Sequence, residues 1–326
     1  MELSRSGPNR THLALLPTPL VRASRLERVL DAGPIFLKRD DLTGFGIAGN
    51  KARTLEFLIG EAVADGSDVF VAAGSPSSNF CAAAAMAAQV VGLECHLLFP
   101  GEPPSKPSVN VELARAADAR LMFDVVETRD LLDDAVVDYA QGLRAAGRRP
   151  YAVPRGGATT TGVLGYAHAA RELAEQCQLA GVTPGTVVVA SGSGGTQAGL
   201  VAGQVGCGRP WRLVGASVSR PAPGLAAEIL RLSRAGAAAL GLEEPTADDV
   251  EVHDCRGTGF GLASAEDRLS ARLALHHEGL LLDDYYGAKA MTLFRDLLSE
   301  GARTPAVFWH TGGLAASLTA LVGGPS

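Results

Sequence analysis

One lysine stands where a neutral amine is favoured over an ammonium. Lys51 follows a Gly-Asn pair in the stretch FGIAGNKARTLEF, residues 45–57, and begins a segment with helical periodicity. Five apolar residues at helical spacing predict a stripe that faces the core: Leu55, Leu58, Ile59, Ala62 and Val63. Lys51 lies one turn before this stripe, where burial and the helix dipole both disfavour a positive charge. It is a candidate for Schiff-base chemistry with an aldehyde, and the alternative is a surface lysine with a buried stem.

A glycine-rich turn in the second half of the chain has the composition of a phosphate site. In VVVASGSGGTQAG, residues 187–199, an apolar run leads through three glycines and three hydroxyl residues into a predicted helix. Backbone N–H groups at such a helix N-terminus bind phosphate. Gln197 breaks the dinucleotide-binding fingerprint, and no Gly-Lys-Ser/Thr sequence completes a P-loop. The alternative to a phosphate site is a tight turn between a strand and a helix.

A third stretch could bind a carboxylate. In AAGSPSSNFCAAAAMAA, residues 72–88, a predicted strand ends at Gly74 and a helix begins near Ser78 or Asn79, either of which can cap it. The N–H groups of the first helical turn are donors for a carboxylate, and the alanines allow close packing. A helix cap alone is the alternative interpretation.

The elements that position these stretches alternate along the chain. From about residue 35 onward, nine β-type runs, the first over 34–40, alternate with ten segments of helical periodicity. This order predicts an α/β fold with parallel sheets covered by helices on both faces. Nine strands are many for one open sheet, so we expect two sheets.

Composition and charge narrow the range of partners. Hydrophobic residues make up 47% and charged residues 20% of the chain, as in an ordinary globular protein. The net charge of -6 and the lack of a long basic run favour small molecules over nucleic acid or a membrane as partners. The N-terminal stretch lacks a signal-peptide pattern, which predicts a cytoplasmic protein. Five cysteines without C-x-x-C spacing argue against a disulfide framework and a zinc site, and we expect no metal.

Six stretches, taken in order, resemble one group of enzymes. They are FLKRDDLTGFGIAGNKARTLEFL, GSPSSNFCAAAA, VPRGGATTTGVLGYAHAARELAEQ, ASGSGGTQAGL, HEGLLLDDYYGAKAM and FWHTGGLAA. Together they resemble the pyridoxal-phosphate enzymes of fold type II, in particular the D-cysteine desulfhydrase and 1-aminocyclopropane-1-carboxylate deaminase group. The resemblance implies pyridoxal 5′-phosphate as the cofactor and a fold like that of the tryptophan synthase β chain. It implies a larger cofactor domain from residues 1–48 and 157–326 and a smaller inserted domain from residues 49–156.

The resemblance also implies roles for individual residues. Lys51 would hold the cofactor aldehyde and move protons at the substrate α-carbon, while Ser78 and Tyr286 would contact the substrate and take part in catalysis. Asn79 would bind the 3′-oxygen of the cofactor, and the Thr311 hydroxyl would face the pyridine nitrogen. A neutral hydroxyl there favours elimination. The cofactor phosphate would be held by the loop that comprises Gly192, Ser193, Gly194, Gly195 and Thr196.

Several positions depart from the usual pattern of that group, and they concern the substrate. The usual Gln-Ser-Asn-His is replaced by Ser77, Ser78, Asn79 and Phe80. Phe260 stands where the deaminases carry a tyrosine, and Gly287 follows Tyr286 where glutamate or threonine is usual. We therefore expect Ser77, Ser78, Phe80 and Phe260 to contact the substrate in a changed pocket.

Arg155 occupies a position that is usually apolar in the group. We hypothesise that its guanidinium binds a second anionic group of the substrate, and the alternative is an arginine at a strand end that faces solvent.

The reaction that these residues favour is α,β-elimination from a small amino acid such as D-cysteine, which releases a keto acid and ammonia. β-Replacement through the same aminoacrylate is the nearest alternative. The 1-aminocyclopropane-1-carboxylate deaminase reaction is disfavoured by Phe260, and a cofactor-binding protein without catalysis stays open. Because members of the group are commonly dimers, the resemblance also implies a homodimer.

Overall fold

The described chain, residues 8–323 of a computed structural model, alternates strands with helices. The strands are β1 (Leu20–Arg22), β2 (Ile35–Arg39), β3 (Val69–Ala73), β4 (Glu94–Leu98), β5 (Arg120–Met122), β6 (Pro150–Ala152), β7 (Thr186–Ser191), β8 (Arg212–Ser217), β9 (Glu251–Asp254) and β10 (Ala306–His310). The helices are α1 (Ser24–Leu30), α2 (Lys51–Ala64), α3 (Asn79–Val90), α4 (Val109–Ala116), α5 (Leu132–Ala145), α6 (Thr160–Ala180), α7 (Gly195–Gly206), α8 (Ala222–Ala239), α9 (Ala265–Glu278), α10 (Gly287–Ser299) and α11 (Leu314–Gly323). Within this range, no helix is both long and apolar enough to cross a bilayer.

The strands form two sheets. One sheet has the order β1-β2-β10-β7-β8-β9 and is parallel except for β1, which pairs with β2 in the antiparallel sense. The other has the order β5-β4-β3-β6 and is parallel throughout. The predicted α/β fold with two parallel-sheet regions is confirmed. The edge strand β1 and helix α1 were missed because the predicted pattern began only near residue 35.

The chain separates into two compact units. The first contains the described residues up to Ala14 and Lys51–Gly165, and the second contains Leu15–Asn50 and the described residues from Tyr166 onward. The sequence placed residues 49–156 in one domain and residues 1–48 with 157–326 in the other. The unit with the four-stranded sheet thus also includes the segment that leads up to Ala14 and residues 157–165, while Gly49 and Asn50 belong to the other unit.

Each unit has its own apolar core, built where a helix covers a sheet. In the first unit, side chains of β3 and β4 pack with Leu132 and Val136 of α5. In the second unit, Val188, Val214 and Phe308 lie in a cluster with apolar residues of α10. The central strands are buried along their full length, which explains their continuous apolar runs.

Helix α2 is buried far more completely than a single stripe would be. Most of its residues from Ala52 to Ala62 are buried, including Glu56 with no exposed surface, whereas Val63 of the predicted stripe is 48% exposed. The reason is that the N-terminal segment covers the polar side of the helix. The Glu56 carboxylate accepts hydrogen bonds from the backbone N–H groups of Leu13 and Ala14, at 2.9 Å each, and from the Arg10 guanidinium. The predicted stripe is therefore confirmed at Leu55, Leu58, Ile59 and Ala62 and wrong at Val63, and the helix is buried on its polar side as well.

Candidate functional site

Four parallel strands of the six-stranded sheet direct their carboxyl ends to one edge, where loops carry polar residues. Gly49 and Asn50 lie on the loop after β2, and Thr311 follows β10. The glycine loop, residues 192–196, follows β7, and Ser219 lies beyond β8. The carboxyl edge of a parallel sheet is where such folds bind ligands, so these loops form a candidate site within one unit.

The backbone of the glycine loop leads directly into the N-terminus of α7. Gly194 has φ of +94°, in the left-handed region, and caps α7, whose first N–H groups have no partner inside the helix. A Cβ on Gly194 would lie 3.1 Å from Ile229, and a Cβ on Gly192 would lie 2.9 Å from the Tyr286 ring. Side chains are thus excluded at these two positions, and a loop of bare backbone before a helix N-terminus suits a phosphate.

Two hydroxyl groups flank this loop. The Thr196 hydroxyl oxygen accepts a hydrogen bond from the Asn50 side-chain amide at 3.0 Å, so its own proton remains to be donated. The Ser191 hydroxyl, at the end of β7, is buried and has no hydrogen-bond partner among the described residues. A buried hydroxyl of this kind is costly unless a ligand or water satisfies it. Both groups are suited to an anion.

Asn50 ties two of the loops together, and the sequence analysis assigned it no role. Besides the bond to Thr196, its backbone N–H donates to the Thr311 carbonyl oxygen at 2.9 Å. The preceding Gly49 has φ of +55° and packs against the backbone of Thr311 and Gly312, with no room for a Cβ. The Gly-Asn pair before the lysine is therefore a packing requirement.

Lys51 comes directly after Asn50 and is the first residue of α2. Burial lowers the pKa of its amine from 10.5 to about 8, because desolvation disfavours the charged form. This agrees with the expectation of a lowered pKa. A neutral amine is the form that attacks an aldehyde or accepts a proton.

A second group of polar residues lies in the other unit, at the start of α3. Ser78 is the helix cap, since its hydroxyl oxygen accepts from the Cys81 N–H at 3.2 Å. Asn110, which the sequence analysis missed, is buried and donates to the Ser77 carbonyl oxygen at 2.8 Å and to the Asn79 side-chain oxygen at 2.9 Å. With its oxygen held in this way, Asn79 presents its NH₂ group as a donor, which suits an oxygen anion.

Two predicted substrate residues take part in packing and ion pairing within the first unit. Phe80 is 2% exposed, and its ring lies against Gly157, where a Cβ would come within 2.6 Å. The Arg155 guanidinium donates to the Asp133 carboxylate at 3.0 and 3.1 Å and to Asp130 at 3.2 Å. These contacts favour a structural role for Arg155. They differ from the alternative given above, in which this arginine faces solvent at a strand end. Its hypothesised contact with the substrate stays a prediction.

Aromatic residues form one wall beside the glycine loop. The Phe260 ring meets the rings of Tyr285 and Tyr286 edge to face, with centroid distances of 5.3 and 5.7 Å. Asp283 fixes both tyrosines, because its carboxylate accepts their backbone N–H groups at 2.9 and 2.8 Å. Burial raises the pKa of Asp283 to about 6, although the backbone N–H groups around it act in the opposite direction. Gly287 packs against Leu282 at the start of α10, so that position offers no polar group.

Metal ligands do not converge in the described part of the chain, where no group of three histidine, cysteine, aspartate or glutamate side chains could hold an ion.

Comparisons with known proteins find similar enzymes over nearly the whole chain. A family model described as pyridoxal-phosphate dependent enzyme matches residues 12–312. The chain is 36% identical over 314 residues to a D-cysteine desulfhydrase of Klebsiella pneumoniae (strain 342), covering 93% of this chain and 94% of that protein. It is 35% identical over 315 residues to a D-cysteine desulfhydrase of Salmonella paratyphi B (strain ATCC BAA-1250 / SPB7), with the same coverage. The crystal structure of an ACC deaminase homologue is 33% identical, with a TM-score of 0.87, and the match covers 97% of this chain and 94% of that one.

Proposed function

The chain belongs to the pyridoxal-phosphate-dependent enzyme family, and from this premise we propose that it catalyses α,β-elimination on D-cysteine or a similar small amino acid. The products would be a keto acid, ammonia and the β-substituent, which is sulfide in the case of D-cysteine. The observation that carries the proposal is the lysine with a lowered pKa, one residue after an asparagine that is hydrogen-bonded to the glycine loop.

Each unit carries residues whose chemistry fits one polar part of the cofactor. The bare amides of the glycine loop and the hydroxyls of Thr196 and Ser191 would hold the phosphate. Asn79, oriented by Asn110, would donate to the 3′-oxygen, and Thr311 would face the ring nitrogen. When bound to an amino acid, the cofactor withdraws electrons from the α-carbon and makes its hydrogen acidic.

The chain's own groups would then handle the proton and the substrate. The neutral Lys51 amine would accept the proton from the substrate α-carbon, which requires the lowered pKa. Ser78 and the first N–H groups of α3 would bind the substrate carboxylate. Tyr286, whose ring lies against Gly192, would also contact the substrate.

A second candidate reaction follows from the similarity to the ACC deaminase homologue. The phenylalanine at position 260 has no hydroxyl to offer as an acid or base, so we rank 1-aminocyclopropane-1-carboxylate deamination below elimination.

The test uses the purified protein loaded with pyridoxal 5′-phosphate and a panel of D- and L-cysteine, both β-chloroalanine enantiomers and 1-aminocyclopropane-1-carboxylate. Keto acid and sulfide are measured, with and without an added thiol nucleophile that would reveal β-replacement. We expect turnover of D-cysteine and a loss of about a thousandfold or more in Lys51→Ala, since acid–base and covalent roles are lost together. Lys106→Ala, at an exposed lysine, is the matched control and should keep full activity.

Two outcomes of this test would contradict the proposal. A protein that binds the cofactor yet turns over no member of the panel would be a cofactor-binding protein without this catalysis, and the proposal would be wrong. Turnover that survives in Lys51→Ala would overturn the role of the lysine.

The setting and assembly are also part of the proposal. We infer a cytoplasmic homodimer that acts on a small amino acid. All five cysteines lie in the described range as free thiols, which suits a reducing compartment. Leu314, Leu318 and Leu321 are exposed at helical spacing on α11, and such a stripe is suited to an interface between copies. Light scattering of the purified protein measures the assembly, and a monomer would contradict it.

A further inference from the structure

The loop that carries Phe260 is rich in glycine and joins β9 to α9. Gly257 and Gly261 have φ of +57° and +80°, so the chain turns sharply on both sides of the aromatic residue. Gly257 and Thr258 are exposed at the tip. A Cβ on Gly261 would lie 2.5 Å from the Tyr285 ring, so the backbone presses closely against the aromatic wall. Such a segment has few apolar anchors of its own, and its position depends on contacts from outside.

One buried lysine supplies such a contact. Lys289 lies on α10 and is 1% exposed, and its ammonium donates to the carbonyl oxygens of Arg256 at 2.6 Å and Gly259 at 3.2 Å. A buried ammonium must be hydrogen-bonded, so the two carbonyls and the cation hold each other in place.

The choice of lysine at this position is unusual for the chain. The sequence contains 29 basic residues, of which only four are lysines: Lys38, Lys51, Lys106 and Lys289. Among these, Lys106 is exposed, while Lys38 and Lys289 are buried. A compact head with three donors suits carbonyls that converge on one point, whereas the planar fork of arginine suits carboxylates. The position therefore calls for an ammonium.

A short series of contacts leads from this lysine to the glycine loop. Lys289 holds the backbone on both sides of Thr258, and Phe260 then meets the Tyr286 ring at a centroid distance of 5.7 Å. The Tyr286 ring in turn lies over Gly192. Movement of the loop would therefore change the surface beside the proposed cofactor phosphate and substrate.

We propose that Lys289 is a positioning residue that latches residues 256–261, so that Phe260 stays against Tyr285 and Tyr286 as a wall of the substrate site. The latch itself rests on the geometry of the second unit alone. Its effect on the substrate rests on the proposed function.

The first experiment reads the loop without any turnover. Limited trypsin digestion of the cofactor-loaded protein is followed by mass spectrometry, and the rate of cleavage after Arg256 reports loop opening. In Lys289→Met, which keeps the length but removes the donors, we expect this rate to rise by about tenfold or more. Lys289→Arg should restore part of the protection, and Lys106→Met, which also removes one ammonium, should leave the rate unchanged. If Lys289→Met does not fold, the cleavage rate after Arg256 is measured in Lys289→Gln, which replaces the ammonium by a shorter, neutral amide.

The second experiment measures the effect on the substrate. With D-cysteine, we expect KM to rise by about tenfold in Lys289→Met while kcat changes by less than about threefold, since the lysine donates to loop carbonyls and has no proposed part in the proton transfer. An unchanged cleavage rate after Arg256 would overturn the latch, and faster cleavage with unchanged KM would overturn its link to the substrate wall. If the unmodified protein turns over no amino acid, the proposed function fails, and the digestion still decides whether Lys289 latches the loop.

Discussion

The lowered pKa of Lys51 predicts how the cofactor-free protein captures pyridoxal 5′-phosphate as the pH is changed. Only the neutral amine attacks the aldehyde, so the rate constant for covalent capture should follow the neutral fraction of Lys51. Burial lowers this pKa from 10.5 to about 8. At pH 7 the neutral fraction is then about a tenth, roughly 300-fold more than an ordinary lysine would have.

The assay removes the cofactor by dialysis, adds it back in stopped flow and records the absorbance change of the covalent product between pH 6 and 10. Nα-acetyllysine, whose exposed amine keeps an ordinary pKa, is measured in parallel as the reference. We expect the rate for the protein to rise about tenfold per pH unit below 8 and to level off above it, because the amine is then already neutral, while the rate for the reference keeps rising. Lys51→Ala should show no capture, whereas Lys106→Ala should match the unmodified protein.

Two results would refute this reasoning. A rate that rises in parallel with Nα-acetyllysine up to pH 10 would mean that burial does not depress the pKa of Lys51. Capture that persists in Lys51→Ala would mean that another amine is the attachment site, and the argument from the helix start would then be wrong.

Three further predictions concern residues around the sites. Gly194→Ala places a Cβ at φ of +94° and 3.1 Å from Ile229, so we expect cofactor affinity, measured by equilibrium dialysis, to fall by about tenfold or more; unchanged affinity would contradict the bare-backbone cradle. Arg155→Ala breaks the bonds to Asp133, so denaturant titration should show that the free energy of unfolding falls by about 1–3 kcal/mol. We expect kcat/KM to change equally for D-cysteine and for a dianionic analogue. A selective loss of kcat/KM for the dianion would instead support substrate binding by Arg155. The pKa of Asp283 is raised from 3.8 to about 6, so between these values the folded state binds more protons than the unfolded state, and its stability contribution falls as pH rises. Relative to Asp283→Asn, the free energy of unfolding should fall by about 2.4 kcal/mol from pH 4 to pH 7, and parallel curves would show that the backbone N–H groups keep the carboxylate charged.

Much of the fold could be predicted because its signals are local. The central strands are buried on both faces and therefore read as apolar runs such as the one in β7, and each is followed by a helical period. The antiparallel strand β1 has three residues, of which none is fully buried, and so leaves little pattern. Helix α2 was misjudged for another reason. Its polar Glu56 is covered by a segment more than 40 residues earlier, and no periodicity encodes that contact.

Some residues of the candidate site could likewise be predicted from local sequence, and others could not. The glycine loop and Lys51 carry their chemistry in consecutive residues, so type and spacing were enough to select them. Asn50 and Asn110 act through partners 146 and 31 residues away, and a single sequence gives no sign of such pairs. Arg155 shows the opposite error. Its two carboxylate partners lie more than 20 residues earlier in the chain, and because the sequence does not reveal them, the charge of Arg155 was interpreted as a substrate contact.

The contacts at the edge of the six-stranded sheet indicate where this site can vary. Asn50 is bonded to both Thr196 and Thr311, and the glycines beside these loops have no room for a Cβ, so a change in one loop strains the next. The loop of residues 256–261 is held differently, by contacts that include the Lys289 ammonium and the rings of Tyr285 and Tyr286, and its tip is exposed. On the proposed function, a new substrate would therefore be accommodated beside this loop at the lowest cost to the proposed cofactor cradle, and Lys289 and Phe260 are the positions at which we expect substitutions to change specificity.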